Sequence, residues 1–291
     1  MKRILLGIVG ALAFIAASHV AATTSWTYTS TVATGNCNSL TCNNGVGLGS
    51  GAGTANVSAG GWSNTNGTST AVGAENAYLL ETAYTTSLFG GGLGMYNKDG
   101  CALAGALSNC DASEEIAPEH ATDNNGRYDM ILLTFSKQVS LRQVSVGWFQ
   151  TDSDITVLAF SAVGNPGNGN VTNDASLATK SWSTMSGWTA IGSYSNLVTD
   201  VATSINANKL YSSSWLVGAY NPIADTNPAT SGWTTGNDYV KLKTFAGCVY
   251  GDTSSTGCTN PPSGQVPEPG SLALIGLAMA GMVSLRRRKK S

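Results

Sequence analysis

Charged residues are scarce in this chain, and histidine is almost absent. Asp, Glu, Lys and Arg together make up 11% of the 291 residues, and only two residues are His. Residues 23–262 keep 8 basic and 16 acidic side chains, a formal charge of −8. Because nucleic-acid phosphates need a basic protein face, this balance argues against a nucleic-acid partner. It is compatible with bound divalent cations.

The sequence motifs of catalysis are also missing. The nucleophile elbow Gly-x-Ser-x-Gly occurs nowhere, and His120 is the only histidine outside the first 22 residues. Glu114, Glu115 and Glu119 could supply the acid and the base of a glycosidase. Three glutamates in one acidic turn are more typical of a solvated surface. We therefore predict that the protein is not an enzyme, with an exported hydrolase as the less favoured alternative.

Long amphipathic helical patterns are absent too, and residues 197–209 are the one weak helix candidate. The chain instead contains short apolar or alternating segments separated by turn residues. We predict strands at 24–33, 77–85, 128–135, 144–148, 155–160, 188–194, 215–220 and 238–245. Residues 36–67 hold few apolar side chains and are predicted to be a long loop or weak hairpins. The predicted fold is all-β, a jelly-roll-like β-sandwich over residues 23–262 with long Gly/Asn/Ser loops.

Six cysteines fall into three local couples in this body. They are Cys37 with Cys42, Cys101 with Cys110, and Cys248 with Cys258. An even count in an exported protein indicates disulfides, and the clustering favours three short loops. A zinc site is a poor alternative, since the spacings exceed two residues and only one histidine is available.

Oxygen-bearing side chains precede two of the predicted strands. Asp123, Asn125 and Asp129 come before or at the start of one strand, and Asp152 and Asp154 come before the next. Ca²⁺ binds six to eight oxygen ligands, so these five residues are candidate calcium ligands. The alternative is that the same side chains form turns by accepting hydrogen bonds from nearby backbone amides.

Residues 23–262 contain many tryptophans and few charged residues. If exposed, Trp62, Trp182, Trp188 and Trp233 could stack on sugar rings, whose apolar faces match an aromatic plane. The alternative is burial in the core, which is better supported for Trp148 and Trp215 because both lie within apolar strands.

The N-terminus has the pattern of a targeting segment. Residues 1–22 combine Lys2 and Arg3 with an apolar run and a small-residue end, which predicts a secretory signal peptide. The protein is therefore expected to be exported across the inner membrane.

The C-terminus, residues 263–291, has three parts. The triplet Pro267, Glu268 and Pro269 is followed by the apolar run 272–285, and then by five basic residues: Arg286, Arg287, Arg288, Lys289 and Lys290. As a helix, residues 270–285 would span about 24 Å, short of the ~30 Å hydrocarbon core, so we predict a single weak transmembrane helix. The basic end is expected to stay cytoplasmic.

This tail resembles the PEP-CTERM sorting signal of Gram-negative bacteria. The resemblance implies that a membrane protease, exosortase, cuts near the triplet and releases the protein toward the cell surface or the extracellular space. The precursor would be held transiently in the inner membrane. Proteins with this signal typically accompany exopolysaccharide production and biofilm formation, so exopolysaccharide is an expected partner.

Residues 120–135, 146–160, 211–221 and 237–247 resemble the body of a family of exosortase-dependent surface proteins, and this resemblance implies no enzymatic activity. We therefore expect an exported, non-enzymatic surface or matrix protein. A calcium-dependent carbohydrate-binding module is the alternative.

Overall fold

The computed structural model describes the residues that form one β-sheet system. They are 24–27, 55–66, 79–86, 91–97, 118, 120–160, 177–178, 180–228, 232–252 and 258. Eleven strands lie within these residues: β1 (Thr24–Thr27), β2 (Val57–Asn66), β3 (Leu79–Thr86), β4 (Gly94–Tyr96), β5 (Thr122–Asp123), β6 (Asp129–Thr151), β7 (Ile155–Phe160), β8 (Trp188–Tyr194), β9 (Thr203–Ser204), β10 (Ser212–Ala219) and β11 (Asp238–Val249). The described residues contain no helix, so the all-β class is confirmed. The jelly-roll sandwich stays a prediction.

The 23-residue strand β6 organises the sheet. Its first half pairs with β2 on one edge and β10 on the other, and its second half pairs with β11 and β9. The strand order is β4-β3-β2-β6-β10-β7-β8, while β11 also pairs with β1 and β5. The two halves of β6 therefore have different partner strands. All of the pairs between the named strands are antiparallel.

The sequence predicts two strands where the structure has the single strand β6. The polar residues 136–138 suggest a break between them. Their backbone groups nevertheless stay hydrogen-bonded, because Ser136 N donates to the carbonyl of Asn56 and the Gln138 carbonyl accepts from Tyr250 N, both at 2.8 Å. Hydrogen bonds to partners outside β6 thus allow the strand to continue through this polar stretch.

The core contains two groups of buried apolar side chains. The larger group includes Trp26, Phe135 and Trp215, and the rings of Trp26 and Phe135 meet edge to face with centroids 4.9 Å apart. Trp215 is fully buried, as its apolar strand predicts. Trp148 is only half-buried, and the Lys241 ammonium lies 5.2 Å from its ring centroid.

Of the two alternatives for residues 36–67, a long loop or weak hairpins, the long loop is wrong for residues 57–66, which form the interior strand β2 between β3 and β6. This strand is built of small and polar residues, and Trp62 is its one aromatic side chain. Small side chains let the neighbouring strand approach, since a Cβ on Gly61 would lie 3.1 Å from the Ala83 carbonyl oxygen. Apolar periodicity does not detect a strand of this kind. Residues 36–54 lie outside the described residues.

The helix candidate at 197–209 is also wrong. This segment consists of turns and the two-residue strand β9. Asp200, Asn206 and Lys209 have φ between 53° and 62°, values in the left-handed region that interrupt any right-handed helix. The segment lies along the edge of β6, where Asp200 N donates to the carbonyl of Val146 at 2.8 Å.

The Cys248–Cys258 disulfide is present, as the local couple predicts. The other four predicted disulfide residues, Cys37, Cys42, Cys101 and Cys110, lie outside the described residues. So do the predicted signal peptide 1–22 and the tail 263–291 with its apolar run. The part of the chain that the structure describes holds no helix long and apolar enough to cross a membrane.

Candidate functional site

A tight reversal between β6 and β7 forms one side of the site. Asp152 N donates to the carbonyl of Gln150 at 2.8 Å, and Thr151 between them has φ of 64°. This combination is the rarer, strained type of γ-turn, and a positive φ is especially unusual for a β-branched residue. The reversal brings Asp152 and Asp154 beside the first residue of β11, Asp238, which pairs with Thr151.

These three aspartates, Asp152, Asp154 and Asp238, form what we call the aspartate cluster. One carboxylate oxygen from each lies within 4.8 Å of the others. Asp238 is fully buried and Asp154 is 5% exposed, while Asp152 lies at the border with solvent. The cluster is thus a buried acidic site that is open on one side.

Protein donors fix the orientation of each carboxylate. Asp238 accepts hydrogen bonds from the Asn124 side-chain amide at 2.6 Å and from the backbone N of Asp154 at 3.0 Å. Asp154 accepts from the backbone N of Asn196 at 2.7 Å. Asp152 accepts from the backbone N of Ser153 at 2.8 Å and from the Asn237 side chain at 3.3 Å. The carboxylates are therefore positioned before any ligand arrives.

Asn124 is the residue that ties this site to the rest of the fold. Its side-chain oxygen accepts from the backbone N of Gly236, Asn237 and Asp238 at 2.9, 3.1 and 3.0 Å. Its side-chain nitrogen donates to the Tyr220 carbonyl at 3.1 Å as well as to Asp238. One buried amide thus holds the segment that leads into β11 and orients the buried carboxylate.

Burial and mutual repulsion change the acidity of the cluster. Burial raises the pKa of Asp238 to about 7, with the neighbouring charges of Asp154 and Asp152 contributing in the same direction. Burial also raises the pKa of Asp154, and the Asp152 charge adds to this effect. Carboxylates that cannot all ionise cheaply can share a proton or bind a divalent cation. Cation binding would require their deprotonated forms.

A stacked aromatic pair, Tyr220 and Trp233, is connected to the cluster through Tyr220. Tyr220 N donates to the Asp154 carbonyl at 3.0 Å, and the Tyr220 ring stacks on Trp233 with centroids 4.8 Å apart. Burial raises the pKa of Tyr220, and the Asp225, Asp154 and Asp238 charges add to this effect. Trp233 is half-buried.

The described fold ends at the Cys248–Cys258 disulfide, and the C-terminal tail follows it. Residues 265–289 match the family model of the PEP-CTERM protein-sorting motif. The match includes Pro267, Glu268, Pro269 and the arginines Arg286, Arg287 and Arg288. No curated protein and no solved structure matches the chain.

The PEP-CTERM motif implies that this protein is exported, that its precursor is anchored in the membrane, and that exosortase processes it. The resemblance of the tail is thereby confirmed. The motif directs sorting, whereas the aspartate cluster lies in the β domain that is sorted. The two features therefore concern different stages in the life of the protein.

The structure brings together only some of the predicted calcium ligands. Asp152 and Asp154 join Asp238, and no other group of three acidic, His or Cys side chains meets the same distance limit among the described residues. Asp123 Oδ1 accepts from Asn125 N at 3.0 Å, which is the turn-forming role given above as the alternative. Asp129 is fully buried at the start of β6, where its backbone is in register with Ser63 of β2.

Sequence reasoning missed Asp238 and Asn124. Asp238 lies 84 residues from Asp154, so no local spacing connects the two residues. Asn124 lies between the candidate ligands Asp123 and Asn125, but an Asn in a turn-like stretch carries no mark of its role. A signal was available in Asp238, because a carboxylate at the first position of an apolar strand resembles the placement of Asp152 and Asp154.

The four candidate tryptophans for sugar stacking divide into two pairs. Trp62 and Trp182 are only 4% and 3% exposed, so protein covers their rings. Neither residue is exposed, as stacking on a sugar requires. Trp188 and Trp233 are half-buried. Trp188 packs against Phe160 with centroids 5.4 Å apart, whereas Trp233 stacks on Tyr220, whose backbone N donates to the Asp154 carbonyl. Trp233 is therefore the tryptophan best placed for a role at this site.

Proposed function

We propose that the mature protein is a non-enzymatic component of the cell surface or extracellular matrix, delivered by exosortase into an exopolysaccharide layer. The observation that carries this proposal is the sorting motif at residues 265–289. A disulfide-bonded β domain with few charges fits such a location, since disulfides persist in oxidising compartments. The precursor is held by its tail, and the cut separates the β domain from the membrane.

A structural role for the one histidine of the body supports the non-enzymatic assignment. His120 is 7% exposed, and its ring meets the edge or face of Tyr96 with centroids 5.7 Å apart. The backbone around it is also closely packed, because a side chain on Gly94 would overlap the His120 carbonyl. Such a histidine stabilises the packing between β4 and the segment before β5.

Mass spectrometry of the protein from the extracellular and surface fractions tests the proposal. We expect a mature chain that lacks residues 1–22 and the basic end at 286–290, and an uncut precursor in cells without exosortase. A secreted protein that still carries its arginines would refute exosortase processing. Exopolysaccharide-binding or co-fractionation measurements on the same mature chain then test its place in the matrix.

A calcium-dependent carbohydrate-binding role is the second candidate, and the aspartate cluster favours it. Ca²⁺ prefers carboxylate and carbonyl oxygens, and three carboxylates converge here within 4.8 Å. Trp233 is half-buried and stacks on Tyr220, whose backbone N donates to the Asp154 carbonyl, so an apolar sugar face could stack on its indole near the cluster. A bound calcium could then hold sugar hydroxyls while the indole contacts the ring.

Calorimetry with CaCl₂ alone, followed by a glycan array with and without EDTA, tests this second role. We expect calcium binding that Asp238→Asn removes, and glycan binding that Trp233→Ala removes without changing calcium affinity. Trp188→Ala is the matched control, since this residue lies in β8 and packs against Phe160. Absence of calcium binding to the wild-type protein at pH 8, above the Asp238 pKa of about 7, would eliminate the candidate.

A further inference from the structure

The disulfide fixes the point where the β domain releases the chain to its tail. Cys248 lies within β11, where it is in register with Ser140 of β6 and is fully buried. Cys258 is 1% exposed, and the Cα atoms of the two cysteines are 5.2 Å apart. Strand β11 ends at Val249. The disulfide bond holds Cys258, ten residues after Cys248, next to the same strand.

The distance from this point to the sorting triplet is short. Pro267 follows Cys258 by nine residues, and the family match begins at residue 265. Nine residues span at most about 32 Å even when fully extended. Without the disulfide, the last described residue of the continuous fold would be Asp252, and the same triplet could lie about 54 Å away.

We compare the reach from Cys258 to Pro267, about 32 Å, with the size of the domain. A compact domain of this length has a radius of gyration of about 18 Å, which corresponds to a diameter of about 45 Å. The tether is thus shorter than the body that it holds. A domain on such a tether cannot turn its Cys258 side away from the membrane while the triplet is at the membrane surface.

We infer that the Cys248–Cys258 disulfide sets the length of the tether, and so holds the β domain against the membrane-embedded processing enzyme during the cut. The enzyme meets the folded body and the sorting triplet at the same time. The part of the domain next to the C-terminal end of β11 faces the enzyme. This inference rests on the proposed processing by exosortase.

The test shortens the tether and then adds four residues either after or before Cys258. Deletion of residues 260–263 leaves the matched motif intact and cuts the reach to the triplet from nine residues to five, or about 18 Å. In cells with exosortase, we expect the processed fraction of the full-length chain to fall about tenfold or more, because a linker that cannot span its sites loses effective concentration.

Two four-residue Gly/Ser insertions are then added separately to the shortened chain. An insertion directly after Cys258 lengthens the tether and restores processing. The same insertion after Thr253 lies inside the disulfide loop, so it leaves the tether short and processing stays low. Replacing both cysteines with Ser in the shortened chain frees the residues after Asp252 and also restores processing.

Each result of this experiment has one meaning. Equal rescue by the two insertions, or normal processing of the shortened chain, would overturn the inference while the sorting assignment stands. Failure of the unmodified chain to be processed would instead refute the proposed function. Alkylation of free thiols followed by gel mobility verifies that the disulfide is present in both insertion variants, and their comparison remains decisive even if the Ser variant does not fold.

Discussion

The buried carboxylate of Asp238 makes the stability of the metal-free protein depend on pH. Its pKa in the folded state is about 7, against an ordinary value of 3.8. The folded state therefore binds this proton more tightly than the unfolded chain does. The resulting stabilisation is fully present below about pH 3.8 and is lost as the pH rises through about 7. The full shift corresponds to about 4 kcal/mol, which is the upper limit for this one group.

The variant Asp238→Asn isolates this contribution. An amide places one oxygen and one NH₂ group where the carboxylate places two oxygens. Either the Asn124 side chain or the Asp154 amide would then meet a second donor, at a cost of about 1–3 kcal/mol. The variant does not titrate, so it avoids the loss that the wild-type protein suffers between pH 4 and pH 7. We expect the wild type to be the more stable protein near pH 4, and the two stabilities to converge or cross by pH 8.

Urea unfolding in EDTA at several pH values between 4 and 8 measures both free energies of unfolding. The relevant quantity is the difference between the two proteins at each pH, because all other titrating groups are shared. Parallel curves over this range would show that Asp238 has no raised pKa and would refute the reasoning about the cluster. Saturating CaCl₂ should remove the loss at pH 8 in the wild type if the cluster binds calcium.

Three further predictions concern stability in urea. Asn124→Ala should lower the free energy of unfolding by about 3 kcal/mol, because the buried side-chain amide loses its hydrogen bonds to five groups. The control Asn125→Ala should lower it by less than about 1 kcal/mol, and equal losses would contradict the role of Asn124. Joint replacement of Cys248 and Cys258 by Ser should cost about 3 kcal/mol from the entropy of the opened loop, and an unchanged midpoint would contradict this. Lys243→Ala should cost less than about 1 kcal/mol, since its ion pair is solvent-exposed, and a larger loss would show that the pair is more than a surface contact.

The sequence pattern predicts the strands whose side chains are apolar or β-branched. The predictions at 155–160 and 188–194 match the bounds of β7 and β8. The pattern fails for β2, whose interior position depends on small residues such as Gly61 rather than on apolar ones. It also fails to join the two halves of β6, since the backbone partners of residues 136–138 come from distant parts of the chain.

The aspartate cluster could be predicted only in part, for a related reason. Asp152 and Asp154 are close in sequence and were identified together, but the third carboxylate comes from β11. The pairing of β11 with β6 sets Asp238 opposite Thr151. This pairing brings the start of β11 beside the turn between β6 and β7. Local sequence contains no information on that register until the sheet topology is known.

The pairing of β1 with β11 has a consequence for the order of events during export. These two strands are the first and the last of the described fold, and the Thr27 and Thr244 hydroxyl oxygens, 217 residues apart, lie 3.2 Å from each other. A chain that crosses a membrane with its N-terminus leading delivers β1 early, yet that strand has no partner until β11 emerges. The hydrophobic tail follows soon after and halts in the bilayer. The contact between β1 and β11 can therefore form only after nearly the whole β domain has been delivered.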